Sequence, residues 1–159
     1  MKKLLFLISL FFVACSSDAA SSSPTAAKIS AQSGNTPSSE AVMKLKIRVN
    51  DTTFTATLND NSSAKALVEL LQKGALTLDM EDFSNFEKVA DLPVTLPRND
   101  TPTDTDAGDL ILYLGKRIVI YYDKNSWDFT PLGKIDNVNK KRLKQILGDG
   151  NATVTFSVK

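Results

Sequence analysis

The chain has 159 residues, 42% of them hydrophobic and 23% charged, with 19 basic and 18 acidic side chains, no histidine and one cysteine. The missing histidine excludes Ser-His-Asp and Cys-His nucleophilic mechanisms and histidine-based zinc sites, and a single cysteine excludes an internal disulfide. The near-even charge balance gives no footing for nucleic-acid binding.

Met1-Lys2-Lys3 form a short cationic head ahead of an apolar run from Leu4 to Ala14, the anatomy of a secretory signal. The run is well short of the roughly 20 residues of a spanning helix, and no second run of that length follows, which argues against a transmembrane protein. It closes on Phe12-Val13-Ala14-Cys15, which resembles a bacterial lipobox with Phe12 where Leu is usual. The resemblance implies that residues 1–14 are removed, that Cys15 is acylated, and that the lipid bilayer is a partner. An ordinary cleaved signal that happens to carry a cysteine is the alternative. Ser16, with no Asp in its place, resembles lipoproteins released toward the outer membrane, so the expected location is the exported, lipid-anchored face of the bacterial cell envelope.

Residues 15–42 then read as the lipidated cysteine and a flexible tether, because Ser and Ala dominate and only Ile29 and Val42 are larger aliphatics. Such a stretch buries too little apolar surface to offset its ordering entropy. As a coil it would span roughly 30 Å. The composition shifts at Met43, and residues 43–159 have the length of one compact domain.

Lys44 to Val49 and Phe54 to Leu58 alternate apolar and polar residues with period two, which predicts a hairpin with one buried face. A helix follows, with Ser62 and Ser63 as N-cap candidates, Ala64, Leu67, Val68, Leu70 and Leu71 as its apolar stripe and Gly74 as its stop. Asp109 to Leu114 and Arg117 to Tyr122 read as two largely buried strands joined by a two-residue Gly115-Lys116 turn. Asp136 or Asn137 can cap a second helix that carries Leu143, Ile146 and Leu147 and ends at Gly148. Thr153 to Val158 alternates as a last strand. Strands this close together leave no room for repeated crossovers, so the expected fold is mainly β, a closed or strongly curved antiparallel barrel with two helices.

The order of these landmarks resembles the small bacterial cyclophilin-like proteins. It comprises the opening hairpin, the Ala64 to Leu71 helix, Leu92-Pro93 to Leu96-Pro97, Ala107-Gly108-Asp109 leading into Leu112-Tyr113, Leu132-Gly133-Lys134-Ile135, and Thr153-Val154-Thr155-Phe156. The resemblance covers essentially all of residues 43–159 and implies a cyclophilin-like barrel. It does not by itself imply an activity. True cyclophilins use an arginine beside an apolar proline pocket that includes a histidine. Here none of Arg48, Arg98, Arg117 and Arg142 lies in the Phe-His-Arg context of that site, so no catalytic residue carries across.

Three clusters are candidates for chemistry. Asp100, Asp104, Asp106 and Asp109 crowd NDTPTDTDAGD, but a calcium loop would need an acidic twelfth residue where Tyr or Ile stands, and the composition equally suits a solvated turn; no metal is expected. Lys140, Lys141, Arg142 and Lys144 read as a solvated helix face or a contact for an anionic surface. Tyr121, Tyr122, Trp127 and Phe129, with Tyr113, could line a pocket or pack a core. Of these, Tyr113, Tyr122, Trp127 and Phe129 are taken as ligand-binding candidates, with Arg98 on the Pro97-Arg98-Asn99 turn as a charge at the rim. No cofactor is expected.

The resulting expectation is a membrane-anchored envelope lipoprotein whose barrel binds a peptide or small ligand without catalysis. A divergent prolyl isomerase or folding helper, with Arg98 or Arg117 as the replacement arginine, is the first alternative. A structural or assembly lipoprotein is the second.

Overall fold

The computed structural model describes residues 42–159. The signal, Cys15 and the tether up to residue 41 lie outside the described residues. The elements run β1 (Lys44–Val49), β2 (Thr52–Leu58), α1 (Ser62–Gln72), β3 (Leu76–Phe83), β4 (Glu87–Asp91), β5 (Thr101–Asp104), β6 (Asp109–Tyr113), β7 (Arg117–Tyr121), β8 (Ser126–Ile135), α2 (Lys140–Leu147) and β9 (Ala152–Val158).

Every strand pairing is antiparallel, in the order β2-β1-β9-β3-β4-β7-β6-β8-β5, and a further pairing of β2 with β8 closes the sheet into a barrel. β5 stays outside the ring, attached only to β8. The mainly β closed barrel with two helices is therefore present. The seam sets Ala56, Thr57 and Leu58 against Ile135, Lys134 and Gly133. A Cβ on Gly133 would lie 2.2 Å from the Thr57 carbonyl oxygen, so only glycine lets the two backbones approach this closely.

Alternation explains the strands that were legible. Leu45, Ile47 and Val49 on β1 and Phe54, Ala56 and Leu58 on β2 all enter one core, joined by Leu110, Leu112, Ile118 and Ile120 from β6 and β7 and by Val154 and Phe156 from β9. α1 packs against β8 and β9 and buries Leu67 and Leu71. α2 adds Leu143 and Leu147. Each buried leucine contributes about 1.5–3 kcal/mol of apolar transfer.

Both helix starts differ from expectation. Asn61 caps α1, its Oδ1 accepting from the Ala64 amide at 2.8 Å, and Asn139 caps α2, accepting from the Arg142 amide at 2.9 Å. Asparagine supplies the same side-chain acceptor as serine, worth about 1 kcal/mol. Ser63 is instead buried and donates to the Pro97 carbonyl at 2.5 Å. Asp136 is engaged at the seam, where it accepts from Lys44 at 2.8 Å and from Thr57 at 2.6 Å.

The β6–β7 turn is centred on Leu114 and Gly115, one residue earlier than expected, both with positive φ (51° and 73°) and closed by Lys116 N–H to the Tyr113 carbonyl. Leu92 and Leu96, both buried, bring the β4–β5 connection against this turn through backbone bonds to Lys116 and Gly115. The acidic segment expected as a turn holds β5 in its first half, paired with Ser126 to Phe129 of β8.

Candidate functional site

β4 and β7 show how the two faces of the sheet differ. Lys88 and Ala90, with Ile118 and Ile120, face the interior, so Glu87, Val89 and Asp91 face outward opposite Tyr121, Val119 and Arg117. These cross-strand pairs form three rungs of different chemistry. Tyr121 faces Glu87 and Val89 meets Val119, and Arg117 Nε reaches Asp91 at 3.1 Å.

Neighbouring strands extend this outer face with aromatic rings. Ile111, Val119, Tyr121 and Phe129 form a second buried cluster, separate from the barrel core, with Phe86, Val89 and Tyr113 packed on it. Phe86 stacks on Tyr121 at 6.1 Å with an interplanar angle of 13°, Tyr121 lies 5.6 Å from Phe129, and Tyr113 meets Phe129 edge-on at 6.1 Å. Such pairs add about 0.5–1.5 kcal/mol beyond their area.

Above this floor opens a cleft of about 410 Å³, within the usual range for a ligand site. Phe83 and Trp127 stand on its rim, 55% and 65% exposed. Large aromatics held in water at the mouth of an apolar hollow are the kind of exposed apolar surface that binding sites carry.

Glu87 and Arg117 are the charged residues of the lining. Burial pushes the Glu87 carboxyl above its usual range, and the Tyr121 hydroxyl across the rung only partly offsets this. Burial, followed by the neighbouring Glu87 carboxylate, raises the Tyr121 phenol, which remains protonated at neutral pH. Asn125 Nδ2 in turn donates to the Tyr121 hydroxyl at 3.3 Å.

The structure brings Tyr113, Trp127 and Phe129 together in this cleft. Tyr122 lies on the other side of the sheet, 1% exposed in the main core, with its hydroxyl bonded to Asp82 and the Lys88 ammonium 5.6 Å from its ring centre. Arg98 is on an exposed turn outside the lining, where it pairs with Asp100. The bonds from Arg98 and Thr130 hold the Asp100 carboxyl below its ordinary range. Glu87, Phe86, Val119 and Asn125 belong to the cleft and were missed from sequence. Tyr121, one of the clustered aromatics but not among the predicted ligand-binding residues, also lines it.

The remaining clusters are dispersed among internal partners. Asp104 accepts from Ser126 at 2.5 Å and Asp109 from Lys134 at 2.7 Å, and no acidic group capable of holding a metal ion occurs among the described residues. In the basic cluster, Lys140 pairs with Asp123 and Lys144 lies over Tyr122 at 5.8 Å.

Comparison with known families matches residues 47–157 to the group described as the cyclophilin-like family. No curated protein matches the chain.

Proposed function

This chain belongs to the cyclophilin-like family, and on that premise we propose that it is a lipid-anchored binding module of the bacterial cell envelope that holds an extended peptide segment in the outer cleft without transforming it. The observation that carries this reading is the open aromatic cleft itself, with Trp127 exposed above a floor of Tyr121, Phe129 and Val119. From the Glu87 rung to the Arg117 rung the cleft follows four residues of strand rise, roughly 14 Å, a length that suits three or four extended residues. The absence of any histidine in the chain and the neutralisation of Arg117 by Asp91 support binding over turnover.

Trp127 is the chain's single tryptophan, so its emission reports on the cleft directly. Titration with short apolar, proline-containing peptides is expected to give a saturable blue shift. Emission that stays unchanged while the protein is folded would remove the reading.

Arg117 in the lining favours a second reading, a divergent prolyl isomerase. In a protease-coupled proline-peptide assay the first reading expects only the uncatalysed rate. Acceleration abolished by Arg117→Ala would establish the second instead.

The anchor is part of the proposal. Acylation of Cys15, with residues 16–42 as the tether, is supported by the lipobox-like Phe12-Val13-Ala14-Cys15, and Ser16 supports the outer membrane as its address. Fatty-acid labelling should be lost in Cys15→Ala. Equal labelling of both chains would contradict it.

A further inference from the structure

The charges of the cleft are not balanced. Arg117 at one end is matched by Asp91 across the β4–β7 rung. Glu87 at the other end is in no ion pair among the described residues, and its cross-strand partner is the neutral Tyr121. That phenol is itself positioned, since Tyr121 accepts from Asn125 and stacks on Phe86. A carboxylate offers about four lone-pair directions, so a single neutral phenol opposite it leaves acceptor capacity unused.

Glu87 shares the lining of the cleft with Phe86, Tyr121 and Phe129, and Trp127 stands exposed at the mouth. Aromatic faces attract cations, and a half-desolvated carboxylate forms strong charge-assisted bonds with them. An anionic ligand would meet repulsion from Glu87, and a purely apolar one would cover Glu87 without replacing its lost water.

Resting on the peptide-binding reading above, we infer that the cleft selects a peptide carrying a cationic side chain, arginine or lysine, seated beside Glu87 among these rings, with Glu87 as the specificity-determining residue. Tyr121 and Asn125 are positioning residues that hold the carboxylate at the floor.

The test uses the purified full-length protein and two peptides, acetyl-Ala-Phe-Pro-Arg-Ala-amide and the same chain with citrulline in place of arginine. Citrulline keeps the shape of arginine and removes its charge. Titrations followed by Trp127 emission should show the arginine peptide binding about tenfold more tightly. Glu87→Gln should bring that ratio to about one by weakening the arginine peptide about tenfold. Equal affinity of the two peptides for the native chain would overturn the cation selection and leave the binding reading standing. A tenfold preference that survives in Glu87→Gln would overturn the assignment to Glu87. Failure of both peptides to bind would sink the binding reading and this inference together.

Discussion

Glu87 and Lys88 are consecutive residues of β4 that face opposite sides of the sheet, the carboxylate toward the aromatic cleft and the ammonium into the barrel, where Lys88 is wholly buried. Lys88 survives there because its three donors are all used, on Asp82 at 2.6 Å, on the Gly148 carbonyl at 3.0 Å and on the Gly150 carbonyl. It thereby ties β3 and β4 to the loop that leaves α2, and it supplies a cation at that helix's C-terminal end.

Lys88→Met keeps most of the unbranched stem, removes the ammonium, takes the donor from two carbonyls and leaves Asp82 with the Tyr122 hydroxyl as its side-chain partner. Breaking one partner out of a buried pair costs about 3–5 kcal/mol, and urea unfolding should register a loss of that size. A loss under about 1 kcal/mol would mean that the ammonium is not the fastening of this end of the barrel.

Stability should respond to acid in two opposite ways. Burial raises the Asp82 carboxyl, but the bonds from Lys88 and Tyr122 and the Lys88 charge outweigh it and leave it below its ordinary 3.8. A depressed carboxyl contributes stability above its unfolded value and loses it as pH falls through the folded one. The native chain should therefore weaken as pH drops below 3.8, and Asp82→Asn should weaken less steeply there. Asp136, held down by Lys44 and Thr57 against its own burial, adds to the same trend.

Glu87 has the reverse sign. Its folded value lies above the ordinary 4.5 because of burial, so its ionised form costs stability as pH rises through that raised value, and the cost is absent below 4.5. Tyr121 is the titratable group facing it, with Arg117 and Asp91 two rungs away. Glu87→Gln should be more stable than the native chain at neutral pH and equal to it in acid. Paired denaturation curves at the two pH values would show it.

These two residues also explain what the sequence left unread. The hairpin of β1 and β2, the β6–β7 pair, both helices and β9 are legible because their interior positions are apolar apart from Ser63 of α1. β4 reads Glu-Lys-Val-Ala-Asp with a lysine at an interior position, which inverts the pattern and hides both the strand and the outward Glu87. In β8, Pro131 and Gly133 interrupt the alternation, and the register shifts opposite Leu110 and Ile111. The tyrosines after β7's apolar run differ only in parity, and parity sends Tyr121 to the cleft and Tyr122 to the core. β3 alternates from Leu76 through Met80, a strand signal outside the elements predicted above.

Two aromatic truncations should separate binding from packing. Trp127 is 65% exposed, so Trp127→Ala should shift stability by no more than about 0.5 kcal/mol yet weaken peptide binding by about thirtyfold, the loss expected of an anchoring aromatic. Calorimetry must replace emission for that variant. Phe129 is 3% exposed, and Phe129→Ala should cost about 3–5 kcal/mol of stability.

Closure of the barrel rests on Gly133. A Cβ there would lie 2.2 Å from the Thr57 oxygen and 2.8 Å from the Leu58 Cα, both backbone atoms that cannot swing aside. Gly133→Ala should cost at least about 1–3 kcal/mol and speed hydrogen exchange at the β2–β8 seam ahead of the rest of the sheet. Unchanged protection at Asn59 and Asp136, whose amides donate across this seam to the Leu132 and Thr55 carbonyls, would contradict the close approach.

The central claim, that the outer aromatic cleft is where this protein holds its ligand, is tested most directly by amide chemical shifts during titration with acetyl-Ala-Phe-Pro-Arg-Ala-amide. Saturable shifts should concentrate at Phe86, Glu87, Tyr113, Tyr121, Trp127 and Phe129. Shifts centred on Lys140 to Lys144 of α2, or no saturable shifts at all, would contradict it.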